Sequence, residues 1–245
     1  MIMKTSTLGT CCLASIALLA TSSIAMAGGD APVLDVDWAV DGINDSGALT
    51  GEGLGAGIYL YSASSAGDNY EINWSFTVTD NGATGGFEIL ASSLGFVNTG
   101  DADATFEIAV MLPVSLAPGS AFYGGSIGGA LTGNADGGFL SSFDADTSLY
   151  NALVDGNSIA TLGDAPFELT SSAFGSADFA AESFGNPIPS LEAAAALESM
   201  SIELNFILGA GDAFAVTSNY VAQVPAPGAI ALLALAGGVR RRRRD

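Results

Sequence analysis

Residues 70–80 read YEINWSFTVTD, and the way they alternate decides the fold. Tyr70, Ile72, Trp74, Phe76 and Val78 alternate with Glu71, Asn73, Ser75, Thr77 and Thr79. A period of two puts the apolar set on one face of a strand and the polar set on the other, so one face is buried and one is wet. The pattern recurs twice. In residues 105–112, Phe106, Ile108, Val110 and Leu112 oppose Thr105, Glu107, Ala109 and Met111; in residues 199–208, Met200, Ile202, Leu204, Phe206 and Leu208 oppose Ser201, Glu203 and Asn205. Weaker strand patterns lie at 33–40, 57–62, 86–90, 121–131 and 214–221. Turn signals such as Asp80-Asn81-Gly82 and Asp155-Gly156-Asn157 separate strand candidates. Many short half-polar strands predict an all-β fold, an antiparallel β-sandwich or jelly roll, rather than an α/β design. Residues 133–189, rich in Gly, Ser, Ala and Asp, fit long loops as well as strands. The alanine run in SLEAAAALESM, residues 190–200, predicts one short helix.

Charge is distributed very unevenly. Lys4 and Arg240 to Arg244 are the only basic residues in the 245-residue chain, and there is no histidine. Residues 28–239 hold 25 of the 26 acids and none of the bases, a formal charge of −25. An apolar content of 49% argues for a packed core despite that charge. Such a body repels nucleic acid and anionic lipid, and suits cationic or divalent-bridged polymers.

The ends read as addresses. Lys4, an apolar run over 13–27 and the small-x-small triplet Ala25-Met26-Ala27 form a secretory signal peptide with cleavage after Ala27. Both cysteines, Cys11 and Cys12, leave with it, so the exported part has no disulfide and no thiolate metal site. At the other end VPAPGAIALLALAGGVRRRRRD, residues 224–245, joins a Pro-rich motif to a short apolar helix and an arginine cluster. The apolar stretch is just short of a full membrane span, and arginines at its end reach the interface and stay cytoplasmic. These three parts in this order resemble the PEP-CTERM sorting signal. The resemblance implies Val224, Pro225, Pro227 and Gly228 as the recognition motif, residues 230–239 as the transmembrane helix and Arg240, Arg241, Arg242, Arg243 and Arg244 as the stop. It also implies signal peptidase and an exosortase-type membrane protease as partners, and passage through the inner membrane to the cell surface or extracellular matrix. Ala226 stands where the name-giving motif has Glu. Three segments follow: signal peptide 1–27, acidic sandwich 28–223 and sorting signal 224–245.

Catalytic chemistry has little to work with. Gly124-Gly-Ser126-Ile-Gly128 matches a nucleophile elbow, but neither histidine nor lysine is present in the exported part to activate Ser126. Asp45-Ser46-Gly47 matches an aspartic-protease triplet without a second lobe. Glycoside hydrolysis needs only two carboxylates, for which Glu71, Glu88, Glu107, Glu168 and Glu203 are candidates, although Glu71, Glu107 and Glu203 fall on polar strand faces. Trp38, Tyr59 and Tyr61 are candidate sugar contacts, whereas Trp74 shares the face of Ile72 and Phe76 and reads as a core residue before a sugar platform. Asp35, Asp37, Asp41 and Asp45 are candidate ligands for calcium, with Asp101/Asp103 and Asp144/Asp146 as further pairs, and none has EF-hand spacing. No other cofactor is expected. The sequence therefore predicts a non-enzymatic surface or matrix protein in contact with extracellular polysaccharide. A calcium-dependent carbohydrate-binding or adhesion module is the alternative, and a glycoside hydrolase the third reading.

Overall fold

The computed structural model describes residues 31–225. Sixteen strands fill them: β1 Val33–Val40, β2 Ile43–Thr50, β3 Glu52–Gly55, β4 Ile58–Ala66, β5 Tyr70–Asp80, β6 Gly86–Asn98, β7 Ala104–Pro113, β8 Ser120–Thr132, β9 Gly138–Ser142, β10 Tyr150–Val154, β11 Asn157–Leu162, β12 Glu168–Ser171, β13 Ser176–Phe184, β14 Leu191–Ala194, β15 Ser199–Leu208 and β16 Ala213–Gln223. They form two antiparallel eight-stranded sheets. Sheet A runs β11-β10-β15-β7-β1-β2, with β9 also on β15 and β12 on β9; sheet B runs β13-β8-β16-β6-β5-β4-β3 with β14 on β8. The all-β sandwich is thus realised, and the region left open at 133–189 supplies five of its strands, β9 to β13.

Alternation does what the sequence asks of it. The inward rows Leu34, Val36, Trp38, Val40 of β1 and Phe106, Ile108, Val110, Leu112 of β7 face Ile72, Trp74, Phe76, Val78 of β5 across the core. Aromatic rings join the sheets: Phe106 and Phe206 of sheet A stack at 5.3 Å, and Phe96 and Phe214 of sheet B meet them edge-on at 5.1 to 6.0 Å. In β6 the buried positions switch from odd (Phe87, Ile89, Ala91) to even (Leu94, Phe96), which breaks the simple period after Ala91. A β-bulge at Ser92/Ser93 absorbs the extra residue and keeps both halves pointing inward.

No helix forms over residues 190–200. Leu191–Ala194 pairs with β8 as β14, and Ala195 and Ala196 are buried. Helix propensity amounts to a few tenths of a kcal/mol per residue, and tertiary hydrogen bonds exceed it here. The Tyr123 hydroxyl donates to Ala194 O at 2.8 Å and accepts from Ala196 N at 2.9 Å. The Asp155 carboxylate accepts from Leu197, Glu198 and Ser199 N at 2.8 to 3.2 Å. Partial burial raises the Asp155 carboxyl, yet the three backbone donors outweigh it and hold the group below its ordinary range.

Three further buried tyrosine hydroxyls reach backbone carbonyls: Tyr61 to Pro32, Tyr150 to Asn219 and Tyr220 to Leu153. Tyr123 differs because it also satisfies a buried N–H. Tyr123→Phe is expected to destabilise by about 1–3 kcal/mol. Tyr150→Phe, which removes a single contact of 3.3 Å, is expected to cost less. Thermal unfolding of the two variants checks the order.

Candidate polymer-binding face

Residues directly opposed across an antiparallel pair project to the same face, so the registers of sheet A show what its outer surface presents. One row crosses six strands: Ser46 of β2, Asp37 of β1, Ala109 of β7, Glu203 of β15, Asn151 of β10 and Thr161 of β11. Five strand spacings make it about 24 Å long. The next row holds Ala48, Asp35, Met111, Ser201, Leu153 and Ser158. Glu107 lies between Ala39 and Asn205 on the other side. Four carboxylates, Asp35, Asp37, Glu107 and Glu203, therefore surround the small side chain of Ala109. The Asn151 amide donates to Glu203 Oε2 at 3.0 Å, and the Ser158 hydroxyl donates to Asn151 Oδ1, which fixes the far end of the row. Partial burial, and then the neighbouring Asp37 charge, push the Asp35 carboxyl up.

Of the four acids expected to share calcium, only Asp35 and Asp37 come together. Asp41 is the first residue of the two-residue turn between β1 and β2, with φ 50° at Asp41 and 75° at Gly42. This is the left-handed pair a type I′ hairpin requires, and Asp-Gly supplies it. The Asp41 carboxylate accepts from Thr105 N at 2.9 Å and Asn69 Nδ2 at 3.1 Å. Asp45 opposes Trp38 and so projects to the other face from Asp35 and Asp37. Among the described residues, no three acidic side chains gather into a group that could hold a metal ion. A strand separates same-face neighbours by two residues, about 7 Å, which spreads carboxylates instead of converging them. Asp144 is an exposed turn residue whose carboxylate, accepting from Asp146 N and Thr147 N, is held below its ordinary range.

The expected sugar contacts are core residues. Trp38, Tyr59, Tyr61 and Trp74 are all buried, and the Trp38 and Trp74 rings lie 5.0 Å apart between the sheets. Ser126 is a strand residue of β8 whose hydroxyl donates to Asn219 Oδ1 at 2.8 Å. Glu71 and Glu88 lie on the polar side of sheet B, and Glu168 is exposed on β12. The glutamates of sheet A stand side by side, projecting the same way, and do not face each other across a cleft. Val224 packs on the core just after β16, and Pro225 follows it. Pro227, Gly228 and Arg240 to Arg244 lie outside the described residues, as do Ala25 and Ala27.

Sequence periodicity missed Phe174. It sits in the loop between β12 and β13, 80% exposed, with a left-handed backbone at φ 51°. Hydrogen bonds from Phe174 N to Asn134 O (2.7 Å), Gly133 N to Gly175 O (2.9 Å) and Gly175 N to Ser172 O (2.8 Å) hold the turn. The adjoining Gly175 was the one available cue, since it marks a tight turn without saying which residue is strained.

No protein-family model matches the chain, and no curated protein matches it. Among solved structures, one likeness is to the carbohydrate-binding module TmCBM61 in complex with β-1,4-galactotriose. It has 10% identity and a TM-score of 0.24, and covers 77% of this chain and 88% of that one. Another is to infectious bursal disease virus Gx strain, at 13% identity and a TM-score of 0.21, over 83% of this chain and 64% of that one. At these TM-scores neither likeness bears on fold or function, and the sandwich stands on its own strand pairing.

Two outcomes follow from this geometry. A raised carboxyl costs stability above its folded pKa and nothing below the ordinary carboxylate value. Asp35→Asn should therefore melt slightly higher than the parent at pH 7, by less than about 1 kcal/mol at so exposed a site, with the advantage gone near pH 3.5. Phe174→Asn should stabilise by up to about 1 kcal/mol, because Asn tolerates the left-handed region and an exposed ring has little burial to lose. Thermal melts across pH check both.

Proposed function

We propose that the chain is an exported, non-catalytic surface or matrix protein that holds a cationic extracellular polysaccharide along the outer face of sheet A. The observation that carries this reading is the row Ser46, Asp37, Ala109, Glu203, Asn151, Thr161, a straight polar track with carboxylates on either side of a small residue. Its length of about 24 Å suits several sugar units laid across the strands, and hydroxyl and amide groups at its ends can take hydrogen bonds. With no basic side chain in residues 28–239, no cationic group of the body competes for those carboxylates, although Glu203 accepts from the Asn151 amide. Export and sorting are supported by the signal-peptide pattern ending at Ala27 and by the motif, apolar stretch and arginines of residues 224–245. The tail follows directly on β16, which leaves the sandwich whole beside the processing site.

A calcium-dependent module fits less well, because the aromatic residues the sequence offered for sugar contact, Trp38, Tyr59 and Tyr61, are buried and its acids are spread. Hydrolysis has no observation of its own in its favour: it needs a general acid and a second carboxylate flanking one glycosidic bond, and Glu71, Glu107 and Glu203 lie on solvated strand faces.

Co-sedimentation with chitosan, a cationic β-linked glucosamine polymer, tests the reading. Binding should weaken as salt rises, and Asp37→Asn with Glu203→Gln should weaken it severalfold without lowering the melting temperature. Equal binding by the double variant, or equal binding to an uncharged glucan, would sink it.

A further inference from the structure

The main paths of the two sheets end in four strands, and three of these edges are interrupted. The pairing of β3 with β4 shifts register at Gly53/Gly55, that of β13 with β8 at Phe179/Glu182, and that of β11 with β10 at Ala152/Leu153. Bulges and short strands of this kind blunt an edge against further pairing. β2 has no bulge and is not short; its one blunting feature is Asp45, which projects to the side of Trp38 and accepts from Ser46 N. It pairs with β1 over eight consecutive residues without a shift, and every β2 residue is exposed or half-exposed. Among the described residues no strand pairs with its other side.

The hairpin fixes which groups are free. Val40 and Ile43 flank the two-residue turn and form a hydrogen-bonded pair, after which bonded and non-bonded pairs alternate. Asn44, Ser46, Ala48 and Thr50 therefore turn their N–H and C=O groups away from β1; within one copy the Ser46 N–H donates to Asp45 Oδ1 at 2.8 Å, an exposed local bond that strand pairing exchanges for one between copies. We infer that β2 pairs antiparallel with β2 of a second copy of this chain, about a two-fold axis through Gly47, joining two A sheets into one.

That register is selected by three features. Ser46 meets Ala48 of the second copy and Asn44 meets Thr50, so all four outward residues of each strand find partners. Charges stay apart: Asp37 and Asp35 of the second copy are separated by Ser46 and Ala48, three strand spacings or about 14 Å. Each Asp45 faces Leu49 of the second copy, which sets the two Asp45 about 13 Å apart along the strand. Both separations exceed the Debye length of about 8 Å in physiological salt, so a body of charge −25 can pair here. Finally Ile43, 73% exposed, comes opposite Gly51 of the second copy and diagonal to its Leu49.

Cross-linking of the full chain in detergent, with Cys11 and Cys12 replaced by alanine, tests the pairing. Gly47 forms the central non-bonded pair, where Cα atoms lie about 4.5 Å apart, within disulfide reach. A Cβ at Gly47 meets only the Trp38 ring edge at 3.7 and 3.9 Å, so Gly47→Cys is accommodated. Under mild oxidation it should give a covalent dimer, while Ser62→Cys, exposed on β4 of sheet B, should not. Adding Ala48→Pro, or separately Ser46→Pro, removes an outward N–H without touching the β1–β2 ladder and should abolish the dimer. Sedimentation of the cysteine-free chain should show its dimer fraction rising with sodium chloride. Cross-linking of Gly47→Cys no greater than that of Ser62→Cys, or a cross-link that survives both prolines in folded protein, overturns the inference.

Discussion

Twenty-five carboxylates share a body that contains no lysine, arginine or histidine, and much of the local structure follows from that. Without ion pairs, a carboxylate near the core is stabilised by backbone N–H groups. Asp155 takes three of them from residues 197–199, Asp212 takes Asn134 N and Phe139 N, and Glu182 takes Gly163 N. Asp41 does the same with Thr105. These acids join loops distant in sequence, in the places where another protein would use a salt bridge. Asp80 marks the limit of the device: Oδ1 accepts from Gly82 N at 2.7 Å, while Oδ2 is buried without a partner.

The remaining acids divide by sheet face. Alternation sends every second residue outward, and on sheet A those positions include Asp35, Asp37, Glu107 and Glu203 around Ala109. On sheet B the outward positions carry Glu71 and Glu88 among many Ser, Thr and Asn residues, with Ser92 bonded to Ser75 and Ser126 bonded to Asn219. The two broad surfaces thus differ in chemistry although one rule of burial shapes both.

The core shows why such a charged chain folds. Phe96, Phe106, Phe206 and Phe214 interlock across the sheets, and buried tyrosine hydroxyls end on backbone carbonyls or N–H groups, so large rings enter the interior without leaving unpaired oxygens. Ring contacts of this kind hold the sheets together without any disulfide.

The sequence by itself determined the all-β class, the inward rows of β5, β7 and β15, and the one-signed charge, because period two and composition are local properties of the chain. Turn chemistry at Asp155-Gly156 was equally legible. Only the tertiary structure decided that SLEAAAALESM is β14 and a bonded loop, because Tyr123 and Asp155, more than 40 residues away, provide the competing hydrogen bonds. It alone placed Trp38 and Trp74 against each other. It split the acids of residues 35–45 among a sheet face, a turn and the opposite face, because a hairpin reverses the chain at Asp41-Gly42. β2 was invisible to periodicity because an edge strand wet on both faces needs no apolar alternation. The track on sheet A was hidden for a related reason: Asp37, Ala109, Glu203 and Asn151 become neighbours only when strands far apart in sequence pair, and pairing order is not written in any one of them.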